Sequence, residues 1–539
     1  MKTAPPPHEE TAAGFVEHEL PALRPGRASR RAALSALAVA VIASFAAILW
    51  GGRLFNPAGG QLLGEFLATA ARPDLSEDFL RITAQAAFTT VAFAAAGAGA
   101  SVAIGGVLGI VASQSWWGHG RRRSWRTVRA VLAFPRGIHE AVWALLLVNI
   151  LGLDPLVGVL GIAIPYTAIT ARVFAEIFDE ADAAPFASLR NQGAGRIKSF
   201  AYSILPQCSA ELISYSFYRF ECAIRAAAIL GVIGAGGLGF QMALSFQALQ
   251  YREMWTLIYA LVAISGLADL WSTAVRRRRA AGRAGPGRDR FVVGSVAGVA
   301  ALVGLSAAYL DLNPAHLWGS RAAAETGRLI SGLFPPAWDK SLLGDLVPAA
   351  LATVAMANVA GFLAWEAGAA AAFGAAGRKT AGLSAAWKVV LLFFRAIPPP
   401  VWAFVFLFVA FPGPLPGMLA LAAYNFGVLG RLMAESVEAS DAAPARALAG
   451  SGAGRAKAFF YATLPLSMGR FSALGIYRWE VTMREVVVVG LVGAGGLGRL
   501  LGERLAAFDL PAVSSVLLAL VGLTLAADFA GAYLRRAIR

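Results

Sequence analysis

"EIFDEADAAPFASLRNQGAGRIKSFAYSILP" (residues 176–206) and "ESVEASDAAPARALAGSGAGRAKAFFYATLP" (residues 435–465) are one segment written twice. In each, Asp182 or Asp441 precedes Ala183-Ala184 or Ala442-Ala443, and Pro185 or Pro444 follows. Aspartate suits a helix cap and proline suits a first turn, where its missing N–H costs nothing. A short helix is therefore expected to begin there. Gly193 or Gly452 fits the left-handed residue that ends such a helix. A basic stretch then runs to Pro206 or Pro465. The segment reads as helix, glycine turn, helix.

The duplication extends well beyond this loop. Adding 259 to the residue number takes Asp182 to Asp441, Arg136 to Arg395, Trp143 to Trp402, Arg225 to Arg484 and Asp269 to Asp528, with no gap. About a third of the positions from Arg136 to Arg277 are identical in the second copy. A repeat of this length has to be settled before any motif inside it is read.

Composition sets the environment. Of 539 residues, 58% are hydrophobic and 15% charged, where soluble proteins carry about 25% charged residues. Mean hydropathy is +0.62. The chain is read as an all-α integral membrane protein. A bilayer core needs about 20 apolar residues per helix, and twelve candidate spans follow, six per repeat: 32–50, 84–112, 130–151, 156–177, 209–234, 254–275, 291–310, 346–373, 387–410, 415–434, 468–493 and 513–534. Lys and Arg gather in alternate loops, so by the positive-inside rule those loops and both termini are expected in the cytoplasm. The expected organisation is an N-terminal tail (1–31), a first unit (32–280), a basic linker (281–290) and a second unit (291–539). The tail is polar and Pro-rich and reads as disordered rather than as a signal peptide. Segments 51–83 and 311–345, on the opposite side, contain "LLGEFLATAARPDL" and "GRLISGLFPPAW", which look like amphipathic helices lying in the interface.

An even number of spans per unit makes the repeats parallel, and parallel repeats build transporters around an axis along the membrane normal. The formal charge of +15 is explained by topology, so nucleic acid is not expected as a partner. Cys208 and Cys222 lie in or beside an apolar segment, and neither a disulfide framework nor a metal site is expected.

"GAGGLG" occurs at 234–239 and again at 493–498. It fits the dinucleotide-binding fingerprint, but no strand–helix unit surrounds either copy, so that reading fails. Gly234, Gly236, Gly237 and Gly239, with Gly493, Gly495, Gly496 and Gly498, have two other uses. They can let helices approach closely, or unwind the backbone where it lines a cavity, as an outward gate would.

The fifth span of each unit carries Arg219, Glu221 and Arg225, repeated as Arg478, Glu480 and Arg484. Ionisable groups at that depth normally face the bundle interior or a wet cavity. Glu221 and Arg225 stand i, i+4 and can pair on one helix face. Arg219 and Arg478 are then left without an intrahelical neutraliser. Three readings stay open: a cationic pathway for an oxyanion, intrahelical pairing alone, or contacts at the cytoplasmic entrance.

The duplicated loop resembles the "EAA" loop of ATP-binding cassette importer permeases: an acidic-Ala-Ala start, a Gly, then Leu205-Pro206 or Leu464-Pro465. "YRFECAIRAAAILGVIGAGGLG" (218–239) and "YRWEVTMREVVVVGLVGAGGLG" (477–498) look like the permeases of phosphonate importers. The resemblance covers about 84–277 and 346–536. It implies a type I importer permease made of two parallel six-helix repeats, with the short helix docking in a groove of a nucleotide-binding subunit. It also implies two copies of an ATPase subunit holding ATP and Mg, an extracytoplasmic solute-binding protein, the inner membrane of a bacterium, and a phosphonate, phosphate or phosphite cargo. Ferric iron, thiamine or another solute is the alternative cargo, and an ion-coupled secondary transporter the more distant alternative. Family members are usually homodimers of single units, so one chain carrying both copies should form the whole pore. The sequence has no "GK" dipeptide, hence no P-loop of its own. His139-Glu140 in the first copy stands against Pro398-Pro399 in the second, and the first half is expected to be less regular there.

Overall fold

A computed structural model describes residues 27–50, 54–117, 122–152, 154–280, 289–376 and 381–538. Most of the expected tail and of the basic linker lies outside the described residues. Among those described, regular structure is helical, apart from an isolated bridge between Phe55 and Ala410.

The numbered helices are α1 (Arg27–Leu49), α2 (Gly59–Ala68), α3 (Glu77–Ala112), α4 (Arg122–Gly137), α5 (Glu140–Leu151), α6 (Pro155–Glu180), α7 (Ala184–Asn191), α8 (Arg196–Leu230), α9 (Gly237–Gln247), α10 (Tyr251–Ala280), α11 (Arg290–Tyr309), α12 (Ser320–Leu333), α13 (Lys340–Ala375), α14 (Ala381–Ala396), α15 (Pro399–Val409), α16 (Pro414–Glu438), α17 (Ala443–Gly450), α18 (Leu464–Val489), α19 (Gly496–Ala506) and α20 (Leu510–Ile538). Among the described residues, seven helices are long and apolar enough to cross a membrane, or eleven when each of four bent pairs is taken as one span. The apolar Ser35–Leu49 part of α1 is shorter than these and stands at the first of the twelve expected spans.

The helices gather into two compact bodies. One comprises Thr69–Gly332, the other Met1–Ala68 with Leu333–Arg539. The sequence units 32–280 and 291–539 record the duplication, which is a division of a different kind. Within the first body, α11 packs on α3: Thr89 and Tyr309 share a hydrogen bond of 3.1 Å between hydroxyls. Within the second, α1 packs on α13, where Asn358 Nδ2 donates to Ser44 Oγ at 3.0 Å and the rings of Phe45 and Phe362 meet edge to face. The first span of each sequence copy is thus housed with the later spans of the other copy.

Small residues set the closest packing. α3 lies along α6, and a Cβ on Gly105 or Gly109 would stand 2.9 Å from Thr170 Cβ or 2.8 Å from Phe174 Cβ. Without a hydrophobic driving force between helices in lipid, such close approach supplies the attraction. At the basic end of each body an ion pair recurs at the same repeat position, Arg129 with Asp179 at 2.8 Å and Lys388 with Glu438 at 2.9 Å.

Both third spans are broken, by 82° between α4 and α5 and by 91° between α14 and α15. The expectation that the first half would be less regular there is therefore corrected: its bend is the smaller of the two. Two chemistries reach the same bend. His139 Nδ1 accepts from the Ala141 N–H at 3.3 Å, while Pro399 and Pro400 begin α15 without an N–H to satisfy. The segments expected in the interface do contain helices, α2 and α12. However, α2 is held on protein, with Phe66 1% exposed and its ring 5.5 Å from that of Phe408.

Candidate functional site

The duplicated loop forms α7 and α17, each eight residues long. Asp182 Oδ1 accepts from the Ala184 N–H at 2.9 Å and Asp441 Oδ1 from the Ala443 N–H at 2.8 Å, an Asx turn that satisfies a donor at the helix start. Ala183 and Ala442 are the residues just before each helix, and Pro185 and Pro444 lie in its first turn. Gly193 and Gly452 take φ of +86° and +87°. The Gly193 N–H donates to the Arg190 carbonyl and the Ala194 N–H to the Leu189 carbonyl. In the second copy Gly452 donates to Ala449 and Ala453 to Leu448. These are the paired bonds of a Schellman stop, repeated bond for bond. No residue of either helix is buried.

The way out of the loop differs between copies. α8 runs unbroken through Pro206, whereas in the second copy a π-turn spans Phe459–Thr463 and Pro465 falls at the start of α18. A wide turn accommodates a proline that cannot donate to the residue four back.

The "GAGGLG" stretches lie at the bends of 52° between α8 and α9 and 62° between α18 and α19. Gly234, Gly236 and Gly237 have φ of +108°, +96° and +76°, and Gly493, Gly495 and Gly496 have +102°, +81° and +68°, a region that side chains disfavour. Gly239 and Gly498 serve closeness instead: an added Cβ would lie 1.9 Å from the Ala228 carbonyl oxygen or 2.0 Å from that of Val487. The turn is tied to the neighbouring long helix, since the Leu238 N–H donates to Thr90 Oγ1 at 2.8 Å and the Leu497 N–H to Thr353 Oγ1 at 2.9 Å.

The fifth-span charges are arranged differently from expectation in two respects. Glu221 Oε1 and Arg225 Nη2 are 3.9 Å apart, and Arg276 from α10 stands equally far on the other carboxylate oxygen. In the second copy Glu480 is held by Arg535 of α20. Arg276 and Arg535 are the same repeat position, so both copies bring a sixth-span arginine to the fifth-span glutamate, a pairing that spacing within the fifth span does not show. Second, the expectation that Arg478 lacks an intrahelical neutraliser is overturned. Its Nη2 donates to Glu485 Oε1 at 2.6 Å and Oε2 at 2.8 Å, and its Nε donates to Asn425 Oδ1. Glu485 is seven residues on, two turns along the same face, beyond the i+4 spacing considered from sequence.

Arg219 keeps other company. Its Nε donates to the Tyr215 hydroxyl at 2.8 Å, and its guanidinium carbon lies 4.8, 5.3 and 5.9 Å from the ring centroids of Tyr166, Tyr215 and Tyr218. Arg225 Nη2 also donates to Cys222 Sγ at 3.4 Å. Among the described residues, no group of three or more His, Cys, Asp or Glu is placed to hold a metal ion.

Residues 105–280 and 367–539 match the family model described as "Binding-protein-dependent transport system inner membrane component". The chain belongs to this family. It is a multi-pass membrane permease, a transporter component rather than an enzyme, of a kind that works with an ATPase and a solute-binding protein. It is similar to the phosphate-import permease protein PhnE of Mycolicibacterium smegmatis, at 31% identity over 426 residues, covering 76% of this chain and 77% of that protein. The phosphite transport system permease protein PtxC of Stutzerimonas stutzeri is 27% identical over 213 residues, 39% of this chain and 77% of that one. A putative cryptic phosphonate transport system permease protein, PhnE2 of Escherichia coli, is 30% identical over 118 residues, 22% of this chain and 97% of that one. A match of 426 residues exceeds either sequence unit and so takes in parts of both.

Proposed function

We propose that this chain supplies both permease halves of an ATP-driven importer for phosphorus oxyanions: phosphate, phosphonate or phosphite. ATP and Mg would be held by two copies of a partner ATPase, one for each of α7 and α17. A solute-binding protein would deliver the anion from outside. The duplicated, basic-flanked loops and both chain ends would face the cytoplasm. One observation carries the reading: the same eight-residue helix, with the same Asx turn and the same glycine stop, stands unburied in both copies. An exposed helix fixed this closely fits recognition by insertion into a groove. Support for the cargo comes from the relatives, named for phosphate, phosphite and phosphonate transport, and from guanidinium groups, whose planar fork matches such anions. The glycine bends, Gly234 to Gly239 and Gly493 to Gly498, would serve as the outward gate.

The cargo is tested with the cognate solute-binding protein and the assembled transporter, offered phosphate, methylphosphonate, phosphite and ferric iron in turn. Binding and uptake of at least one phosphorus oxyanion, with ferric iron ignored, is the expected outcome. Binding and uptake of ferric iron alone would overturn the cargo assignment.

A further inference from the structure

The two copies of the fifth span differ at one place that decides what an arginine can bind. Arg478 is neutralised by a carboxylate of its own helix, Glu485, gripped through one nitrogen by both oxygens. At the matching position in the first copy stands Ala226, 1% exposed. Asn425, which accepts from Arg478 Nε, is matched by Tyr166. Arg219 therefore lacks the acid and the amide of its twin; both guanidinium groups lie over phenol rings, Arg478 over Tyr424 at 5.2 Å.

Arg219 is 9% exposed, yet among the described residues no carboxylate lies within ion-pair distance of it, and Tyr215 takes only its Nε. A guanidinium has five N–H donors, so four remain on the two Nη atoms. Among the described residues, neither Nη atom is a sealed polar atom without a partner, and Tyr218, whose ring lies 5.9 Å from the guanidinium carbon, is 37% exposed. A buried charge without a partner is costly, and its cost falls when an anion arrives.

We infer that Arg219, with the hydroxyl-bearing rings of Tyr215 and Tyr218, is a one-sided contact for the transported oxyanion, and that Glu485 fills the equivalent place in the second copy as an internal anion. The inference rests on the phosphorus-oxyanion reading above and deepens it. The first copy meets the cargo, and Arg478 is a structural arginine. The phenol walls give an anion aromatic edges and O–H donors around a forked cation, a setting for charge-assisted hydrogen bonds to two oxygens at once.

The second copy suggests the test. Ala226→Glu would give Arg219 the partner that Arg478 already has, and Ala226→Gln places nearly the same volume there without the charge. Both are introduced into the complete transporter, reconstituted with its ATPase and solute-binding protein, and uptake of phosphate and methylphosphonate is measured beside thermal stability. Ala226→Glu should lower uptake at least tenfold relative to Ala226→Gln while remaining as stable or more so. Equal uptake in the two variants would overturn the inference. Should neither assemble, Arg219→Gln decides: a tenfold or greater loss of uptake in an assembled, stable complex, partly restored by Arg219→Lys, supports the contact. Uptake within twofold of wild type removes it. If the wild-type complex takes up no phosphorus oxyanion at all, the cargo reading has failed, and the inference falls with it for a separately visible reason.

Discussion

Replacing Gly193 and Gly452 together with valine is expected to cut transport at least tenfold while leaving ATP hydrolysis by the assembled complex running. Both glycines hold φ near +87°, and a Cβ at either would meet nothing within 4 Å. The penalty is therefore conformational and not steric crowding by neighbours. A β-branched residue in the left-handed region costs about 1–3 kcal/mol. The helix stop can escape that cost by opening its two backbone bonds, which re-aims α7 and α17. Asparagine tolerates the left-handed region, so Gly193→Asn with Gly452→Asn should restore much of the coupling. Uptake and phosphate release measured on one preparation check this. Normal uptake in the double valine variant would mean that the helices do not couple the two activities.

A second large effect is expected at Gly239 and Gly498, by a different mechanism. Even alanine there would bring a Cβ to 1.9 or 2.0 Å from a carbonyl oxygen of the preceding helix. Backbone cannot yield as a flexible side chain would. Each substitution should cost about 3 kcal/mol or more, beyond the usual 1–3 kcal/mol of overpacking. The expected result for Gly239→Ala with Gly498→Ala is a fall in thermal midpoint and a loss of folded permease from the membrane, whereas Gly344→Ala, inside α13 with ordinary helical backbone and open space around it, should leave folding much less affected. A double variant at 239 and 498 as stable as wild type would show that the bends can relax, which close packing of helices on these carbonyls forbids.

The contrast between these two glycine pairs shows what was legible in the sequence. Caps and stops are local, so Asp182, Pro185 and Gly193 announced α7 within a dozen residues, and their copies announced α17. The spans were legible for the same reason, since length and hydropathy are local properties. The bend at the third span was less so, because His139 in one copy and Pro398 in the other disguise one geometry behind different side chains. Packing partners were the least legible. A repeat offset places Arg276 and Arg535 at one position, but only the fold turns both back onto the fifth span. Nor does the sequence say that α1 joins the body holding the second copy, because sliding the chain against itself registers similarity and not contact. Glu485 escaped because its partner is two turns away instead of one.

The central claim is that one chain, with both halves in it, moves its cargo on ATP hydrolysed elsewhere. Uptake of radiolabelled phosphate or methylphosphonate into proteoliposomes containing this chain tests it most directly, with and without the ATPase, and with and without a proton or sodium gradient. The account predicts uptake only when the ATPase, ATP and the solute-binding protein are all present. Uptake driven by an ion gradient with no ATPase in the membrane would contradict it.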